Sequence, residues 1–206
     1  YLASHTQNRK GNNLCPKATQ GCIAACLYTA GRGKFSNVQE ARVNRANYYV
    51  ENKLAFLEHM KKEILREFKK AKKKGEKTAF RLNGTSDLDF IYMLNKKLGF
   101  DIYELSEWLT FYDYTKMLPK AKRYARDARN TNYTITYSRS GEESTETIQE
   151  ALSLGINVAV VFDKLPETFL GAKVVDGDKT DLEMLAYKGV ILGLKAKGDA
   201  KKDTSG

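Results

Sequence analysis

Thr145-Glu-Thr-Ile-Gln-Glu-Ala-Leu-Ser-Leu154-Gly155-Ile-Asn157-Val-Ala-Val-Val-Phe162 decides the fold class of this chain. Residues 145–154 read as a helix, and Gly155 is a natural C-cap for it, because glycine takes the left-handed conformation at little cost. Asn157–Phe162 is a nearly continuous apolar run. A strand apolar on both faces is what a parallel sheet covered by helices on each side requires.

The same alternation extends in both directions. Upstream, Tyr133–Tyr137 reads as a strand, preceded by a basic helix that runs from Lys116-Met-Leu-Pro119 to Arg129. Thr110–Tyr114 and Lys77–Asn83 are predicted strands, separated by helical stretches over Asp87–Gly99 and Ile102–Leu109. Two helices come earlier, Asn37–Tyr48 and Glu51–Lys73. The second places Leu57, Met60, Ile64, Phe68 and Ala71 at steps of three and four, which is a core stripe. Downstream, Val174-Val175 and Gly189–Leu194 are predicted strands around a helix starting near Asp181, where Thr180-Asp-Leu-Glu183 fits a capping box. Residues 1–36 are expected to hold a short strand and an irregular loop closed by Gly31-Arg32-Gly33.

Strands alternating with helices imply a parallel sheet joined by right-handed crossovers. Six or seven such units within 206 residues point to an α/β protein built as a compact or incomplete (β/α) TIM-like barrel, with an N-terminal cysteine loop. A flat doubly wound sheet is the alternative, but no Gly-x-Gly-x-x-Gly follows the first strand to mark a dinucleotide site. One domain is expected over residues 1–198, with a disordered tail over 199–206.

The net charge is +10, which favours an anionic partner, either a small molecule or a nucleic acid. Lys69, Lys70, Lys72, Lys73 and Lys74 concentrate that charge at one helix end. Such a run also serves simply as a solvated end whose cations oppose the helix dipole. No apolar run approaches the roughly 20 residues that span a bilayer, so no membrane partner is expected. Cysteines confined to one loop do not look like a disulfide framework and point to a reducing, cytoplasmic setting in the host cell.

The three cysteines, Cys15, Cys22 and Cys26, are the only ones in the chain and fall within one short stretch. Thiolates this close can grip a thiophilic metal, with one coordination site left to another group. Zinc with His5 as fourth ligand is one form of that site. Three unremarkable thiols, two of which could pair, are the plain alternative.

In a β/α barrel, chemistry gathers where the strands end. The predicted strand ends here are polar: Asn83-Gly84-Thr85-Ser86-Asp87, Asp113-Tyr114-Thr115-Lys116, Tyr137-Ser138-Arg139, Asp163-Lys164, Asp176-Gly177-Asp178 and Lys195-Ala196-Lys197. Several have structural explanations, Ser86 as a helix N-cap and Asp176-Gly-Asp178 as a turn. With only His5 and His59 present, no Ser–His–Asp or Cys–His arrangement is available.

Cys15-Pro-x-Ala-Thr-x-x-Cys22-x-x-x-Cys26-x-Tyr28 followed by Gly31-Arg-Gly33 resembles the gene-product-88 family of tailed-phage and prophage proteins. The likeness continues through Arg81-Leu-Asn-Gly-Thr-Ser-Asp87, Phe111-Tyr-Asp-Tyr-Thr-Lys116, Asn157–Phe162, Val175-Asp-Gly-Asp178 and Gly189–Gly198. It implies a phage or prophage origin and supplies no activity. The cysteines are also similar to those of radical-SAM barrels. That second resemblance implies a four-iron cluster on Cys15, Cys22 and Cys26, with S-adenosylmethionine contacted from Thr85, Ser86 and Asp87. The spacing here is six and three residues, where that superfamily has three and two.

Three functions follow as expectations. The first is an iron–sulfur, radical-SAM-like enzyme with Asp87, Asp113 and Lys116 in catalysis. Tyr114, Arg139, Asp178, Lys195 and Lys197 would then position a charged, nucleotide or nucleic-acid substrate. The second is a zinc-stabilised basic nucleic-acid-binding protein without catalysis. The third is a hydrolase or transferase using Asp87 and Asp113 as acid and base, with no metal.

Overall fold

The computed structural model describes residues 1–24, 26–27 and 30–202. Tyr28 of the cysteine motif and residues 203–206 of the expected tail lie outside the described residues. Cα packing divides the chain into two compact units, each built from separated segments. Unit 1 comprises Tyr1–Pro16, Phe35–Tyr112 and Ala128–Tyr133, and unit 2 comprises Lys17–Lys34, Asp113–Asp127 and Thr134–Gly206.

In unit 1, α2 (Ser36–Glu51) leads into α3 (Lys53–Lys74); the short α1 belongs to unit 2 and is described below. The predicted stripe is the buried face of α3: Leu57, Ile64 and Ala71 are fully inside, with Met60 and Phe68 half-buried. Gly75 ends this helix at φ 69°, the left-handed cap that lets its N–H reach back to the last carbonyls. Tyr49, Phe56 and Phe90 form a mutually contacting aromatic cluster with centroids 5.3–6.0 Å apart. Phe90 opens α4 (Phe90–Leu98). β1 (Thr78–Arg81) pairs in parallel with the first half of β2 (Leu109–Thr115), Thr78 opposite Leu109. The loop between β1 and α4 is organised by buried Asn83. Its Oδ1 accepts from the Ser86 hydroxyl and the Leu88 N–H, and its Nδ2 donates to the Leu88 carbonyl. The helix cap is Asp89, which accepts from the Tyr92 N–H at 3.1 Å. Ser86 is therefore a loop brace and not the expected N-cap.

Unit 2 carries α1 (Gln20–Ala24), α5 (Leu118–Arg126), β3 (Tyr133–Ser138, apart from its first residue), α6 (Thr145–Ser153), β4 (Val158–Phe162), β5 (Thr168–Phe169), β6 (Ala172–Asp176), α7 (Glu183–Ala186) and β7 (Ile191–Lys195). The stretch that set the fold class forms as read. Ser144 caps α6 through the Thr147 N–H, and Gly155 follows the helix at φ 73°. The Ile156 N–H bonds back to the Ala151 carbonyl at 3.1 Å. β4 is buried at Val158, Ala159 and Val160.

The strand order is β1-β2-β3-β4-β7-β6-β5. β3, β4, β7 and β6 run parallel to their neighbours, and β5 is the antiparallel arm of a hairpin with β6. The sheet does not close into a barrel, which corrects the TIM-like expectation. A barrel keeps its strands in sequential order until the last meets the first; here β7 inserts between β4 and β6, and the hairpin ends the series. The molecule is a mixed α/β protein with an open, mostly parallel seven-stranded sheet.

Two smaller expectations are also corrected. Residues 1–4 form no strand; the Ala3 N–H is taken by the Arg42 carbonyl of α2 at 3.1 Å. Thr180 does not head a capping box, because α7 begins only at Glu183; its hydroxyl accepts from the Leu182 N–H instead. Residues 198–202 form a 3-10 turn.

Candidate functional site

Each candidate residue has a place in one unit or the other. In unit 1, Thr85, Ser86 and Asp87 sit on the loop after β1. The Thr85 hydroxyl donates to the Leu2 carbonyl at 2.8 Å, and the Asp87 N–H donates to the Leu14 carbonyl at 2.8 Å. Asp87 is buried, and these bonds tie its loop to the N-terminal segment that leads into Cys15. Cys15 is half-buried, its N–H held by the Asn13 side chain.

In unit 2, Asp113 lies within β2, two residues short of the strand end, and is buried with Thr115 on one face. Half-buried Tyr114 alternates to the other face. Lys116, just past the strand, donates to the Ser138 hydroxyl at 3.5 Å and to the Arg139 carbonyl at 3.3 Å. The positive charge of the same ammonium acts on the Cys22 thiol. Cys22 lies in α1, and the Cys26 N–H turns back to the Ile23 carbonyl at 3.4 Å. Burial pushes the Cys22 thiol above its ordinary range, Lys116 opposes that, and the neighbouring Cys26 adds to it.

Cys15 belongs to unit 1, and Cys22 and Cys26 to unit 2. Among the described residues, no three His, Cys, Asp or Glu side chains are grouped to hold a metal. The His5 ring bonds the Thr6 hydroxyl at 3.0 Å.

At the strand ends of unit 2, Arg139 differs from its neighbours. Its N–H completes the ladder to the Ala159 carbonyl at 2.9 Å, and its guanidinium lies 5.8 Å from the centre of the Phe169 ring. Phe169 in turn meets Phe162 edge-on, centroids 5.2 Å apart. Among the described residues no carboxylate pairs with Arg139. Asp178, by contrast, is committed: its Oδ2 accepts from the Lys195 N–H at 2.7 Å, Lys197 pairs with Oδ1, and its own N–H bonds Asp176. Partial burial works against its charge, but Lys197 and the Lys195 N–H hold its carboxyl below the usual range. Asp178 and Lys197 thus neutralise each other and staple the end of β7, while the Lys195 side chain stays exposed.

The loop after β3 holds an internal anion. The Glu143 carboxylate accepts from the Ser140 hydroxyl, the Ser140 and Gly141 N–H groups and the Tyr137 hydroxyl, at 2.7–3.2 Å. Burial works against its charge, yet these donors together hold its carboxyl below the ordinary range. Burial first, and then the carboxylate beside it, raises Tyr137 to about 12. Sequence reading missed Glu143 and Phe169, although Gly141 and Gly171 at positive φ mark both turns.

These features define an open, mostly parallel α/β protein with cationic groups and a thiol pair at the strand ends of one unit. The sequence model of the gene product 88 family matches residues 1–206. The chain belongs to that family, and with it goes the phage origin that the resemblance implied. No curated protein and no solved structure matches it. Among the described residues no helix is long and apolar enough to cross a membrane.

Proposed function

We propose that this protein binds a phosphate-bearing ligand at the C-terminal strand ends of unit 2, with Arg139 and Lys116 as the anion-holding groups. The observation that carries this reading is Arg139: a half-buried guanidinium over an aromatic ring, with no carboxylate partner among the described residues. A guanidinium offers a planar fork suited to phosphate oxygens. Lys116, whose ammonium bonds the Ser138 hydroxyl and the Arg139 carbonyl, is the second cation at the end of the same strand. Calorimetric titration with pyrophosphate tests the reading. Binding is expected, falling with added salt and lost in both Arg139→Gln and Lys116→Met. Binding unchanged in both variants, or absent from the wild type, refutes it.

A nucleic-acid reading has its own support in unit 1. Lys62, Arg66, Lys69 and Lys73 are exposed along α3, away from its buried Leu57, Ile64 and Ala71. Phosphate contacts by this row give an affinity that drops with salt, by roughly 0.9 log units per log unit of salt for each phosphate neutralised. A flat salt response, or loss of binding through Arg139→Gln alone, removes this reading. The metal readings are separated from both by elemental analysis: protein purified without oxygen that carries stoichiometric iron or zinc would restore them.

A further inference from the structure

Tyr137, Ser140 and Gly141 all donate to the Glu143 carboxylate in the loop between β3 and α6. The hydroxyl of Tyr137, a residue only 3% exposed, reaches Oε1 at 3.2 Å. The Ser140 hydroxyl reaches the same oxygen at 2.7 Å, the Ser140 N–H is shared between both oxygens at 2.9 Å, and the Gly141 N–H meets Oε2 at 3.0 Å. Successive N–H groups converge on one anion where the chain turns sharply, as it does at Gly141 with φ 101°. Such a concavity of N–H groups is what phosphate-binding loops present. The N-terminus of α6 is not part of it, because Ser144 caps that helix through the Thr147 N–H.

Arg139 lies on the same face of the sheet as this carboxylate. Tyr137 sits opposite Val158, and the ladder runs on through the Arg139 N–H to the Ala159 carbonyl. Side chains alternate along a strand, so Tyr137 and Arg139 share one face while Thr136 and Asn157 share the other. α7 covers that other face, where the Thr136 hydroxyl meets Met184 Sδ at 3.7 Å and Asn157 Nδ2 donates to the Met184 carbonyl. The β3-α6-β4 and β6-α7-β7 crossovers step in opposite directions, so strand order reverses between β4 and β7, the switch point of the sheet. Right-handed connections then put α6 on the face opposite α7, with Tyr137 and Arg139. Glu143 nevertheless leaves the guanidinium unmatched: Arg139 lies over the Phe169 ring, with no carboxylate partner among the described residues. The loop donors already fill the acceptor sites of both carboxylate oxygens. A phosphate in the same place has further oxygens to offer a guanidinium fork.

We infer that the β3–α6 loop is a phosphate-binding loop in which Glu143 is an internal substitute for the ligand, and that an incoming phosphate or pyrophosphate group displaces its carboxylate. The Ser140 and Gly141 N–H groups and the Ser140 hydroxyl then turn to phosphate oxygens, and the Arg139 fork takes those that face it. Lys116, bonded to the Arg139 carbonyl, adds positive charge at the start of the loop. Ser140 and Arg139 are half-buried and Gly141 is exposed, so a ligand reaches the donors from solvent. The exchange replaces one anion by another on the same donors, with no covalent bond made or broken. Glu143 thereby sets a threshold, because any ligand must outcompete a carboxylate tethered beside the site. This inference rests on the anion site proposed above and adds the loop that completes it and the residue that competes for it.

The experiment titrates pyrophosphate into the wild-type chain, Glu143→Gln and Glu142→Gln by calorimetry at physiological salt. Glu143→Gln keeps the size of the side chain and removes the competing charge. It is expected to bind about tenfold more tightly than the wild type, the effect of at least one hydrogen bond to a charged acceptor. Glu142 is an exposed neighbour; its change to Gln raises the net charge equally and is expected to alter the affinity by less than about twofold, because salt screens an exposed charge. Adding Arg139→Gln to Glu143→Gln is expected to cancel the gain. In the wild-type chain, the amide resonances of Ser140 and Gly141 are expected to shift on addition of pyrophosphate, which tests the loop without any substitution. Wild-type binding that leaves those resonances unmoved, or an affinity no higher in folded Glu143→Gln than in Glu142→Gln, overturns the inference and leaves the anion site standing. Absence of binding to the wild type overturns both.

Discussion

Gly193→Ala is a sharp test of how the switch point is built. Gly193 is buried in β7, opposite Val160 on one side and Asp176 on the other. A Cβ there would stand 2.6 Å from Leu165 Cδ2 and 2.8 Å from Val174 Cγ1, with Phe162 at 3.6 Å. Leu165 lies on the connection that leaves β4, so the missing side chain is what lets that connection fold down over the sheet. Adding a methyl group to a filled core typically costs about 1–3 kcal/mol. Replacing glycine by alanine returns roughly 0.5–1 kcal/mol of backbone entropy. The net expectation is a loss of about 1–2 kcal/mol, read from urea unfolding as a lower midpoint at unchanged slope. For a chain of this size it corresponds to a fall of roughly 2–8 °C in Tm. An alanine variant as stable as the parent would show that Leu165 and Val174 yield freely, and the account of a close-packed switch point would be wrong.

Three other outcomes are expected. Leu170 has φ 50° in the two-residue turn of the β5–β6 hairpin, before Gly171 at φ 80°. Such turns favour asparagine at that position, and Leu170→Asn should stabilise the protein by up to about 1 kcal/mol in the same urea assay. Cys22 alkylation by iodoacetamide, followed by peptide mass spectrometry, should accelerate only at pH above the ordinary thiol range, and Lys116→Met should push that rise higher still, because the ammonium favours the thiolate. Glu143 has a folded pKa below its unfolded one, so its contribution to stability is complete above the ordinary carboxylate pKa and is lost as pH falls through the depressed value. Glu143→Gln should flatten that acid limb of the stability profile and lower the Tyr137 pKa from its value of about 12, followed by ultraviolet titration.

The elements were legible wherever periodicity and punctuation agreed. Gly155 after an amphipathic run and before Val158–Phe162 left little choice, and α3 declared its buried face through Leu57, Ile64 and Ala71. Strand order was not legible, because a parallel strand reads alike whether its next neighbour lies to the left or to the right. The barrel expectation failed for that reason. β5 is two residues long, too short to show alternation. The roles of the individual polar strand-end residues depend on partners that only the fold brings together. Asp178 is spent on Lys197 and the Lys195 N–H, and Ser86 on Asn83, whereas among the described residues no carboxylate pairs with Arg139. The cysteine spacing, equally visible in sequence, divides between two units in a way no spacing could reveal.

The apolar run that fixed the fold class also concealed one exposed position. Val158, Ala159, Val160 and Val161 are chemically alike, and sequence reading buries all four. What separates Val161 from the others is the length of α7, whose four residues reach Thr136 and Asn157 and stop. A longer helix would cover the strand ends and yield a more stable sheet, since each valine-sized side chain removed from water contributes about 1.5 kcal/mol or more. The chain forgoes that contribution at the place where strand order reverses, so the exposure of Val161 follows from how short the helix between β6 and β7 is and not from the chemistry of β4 itself.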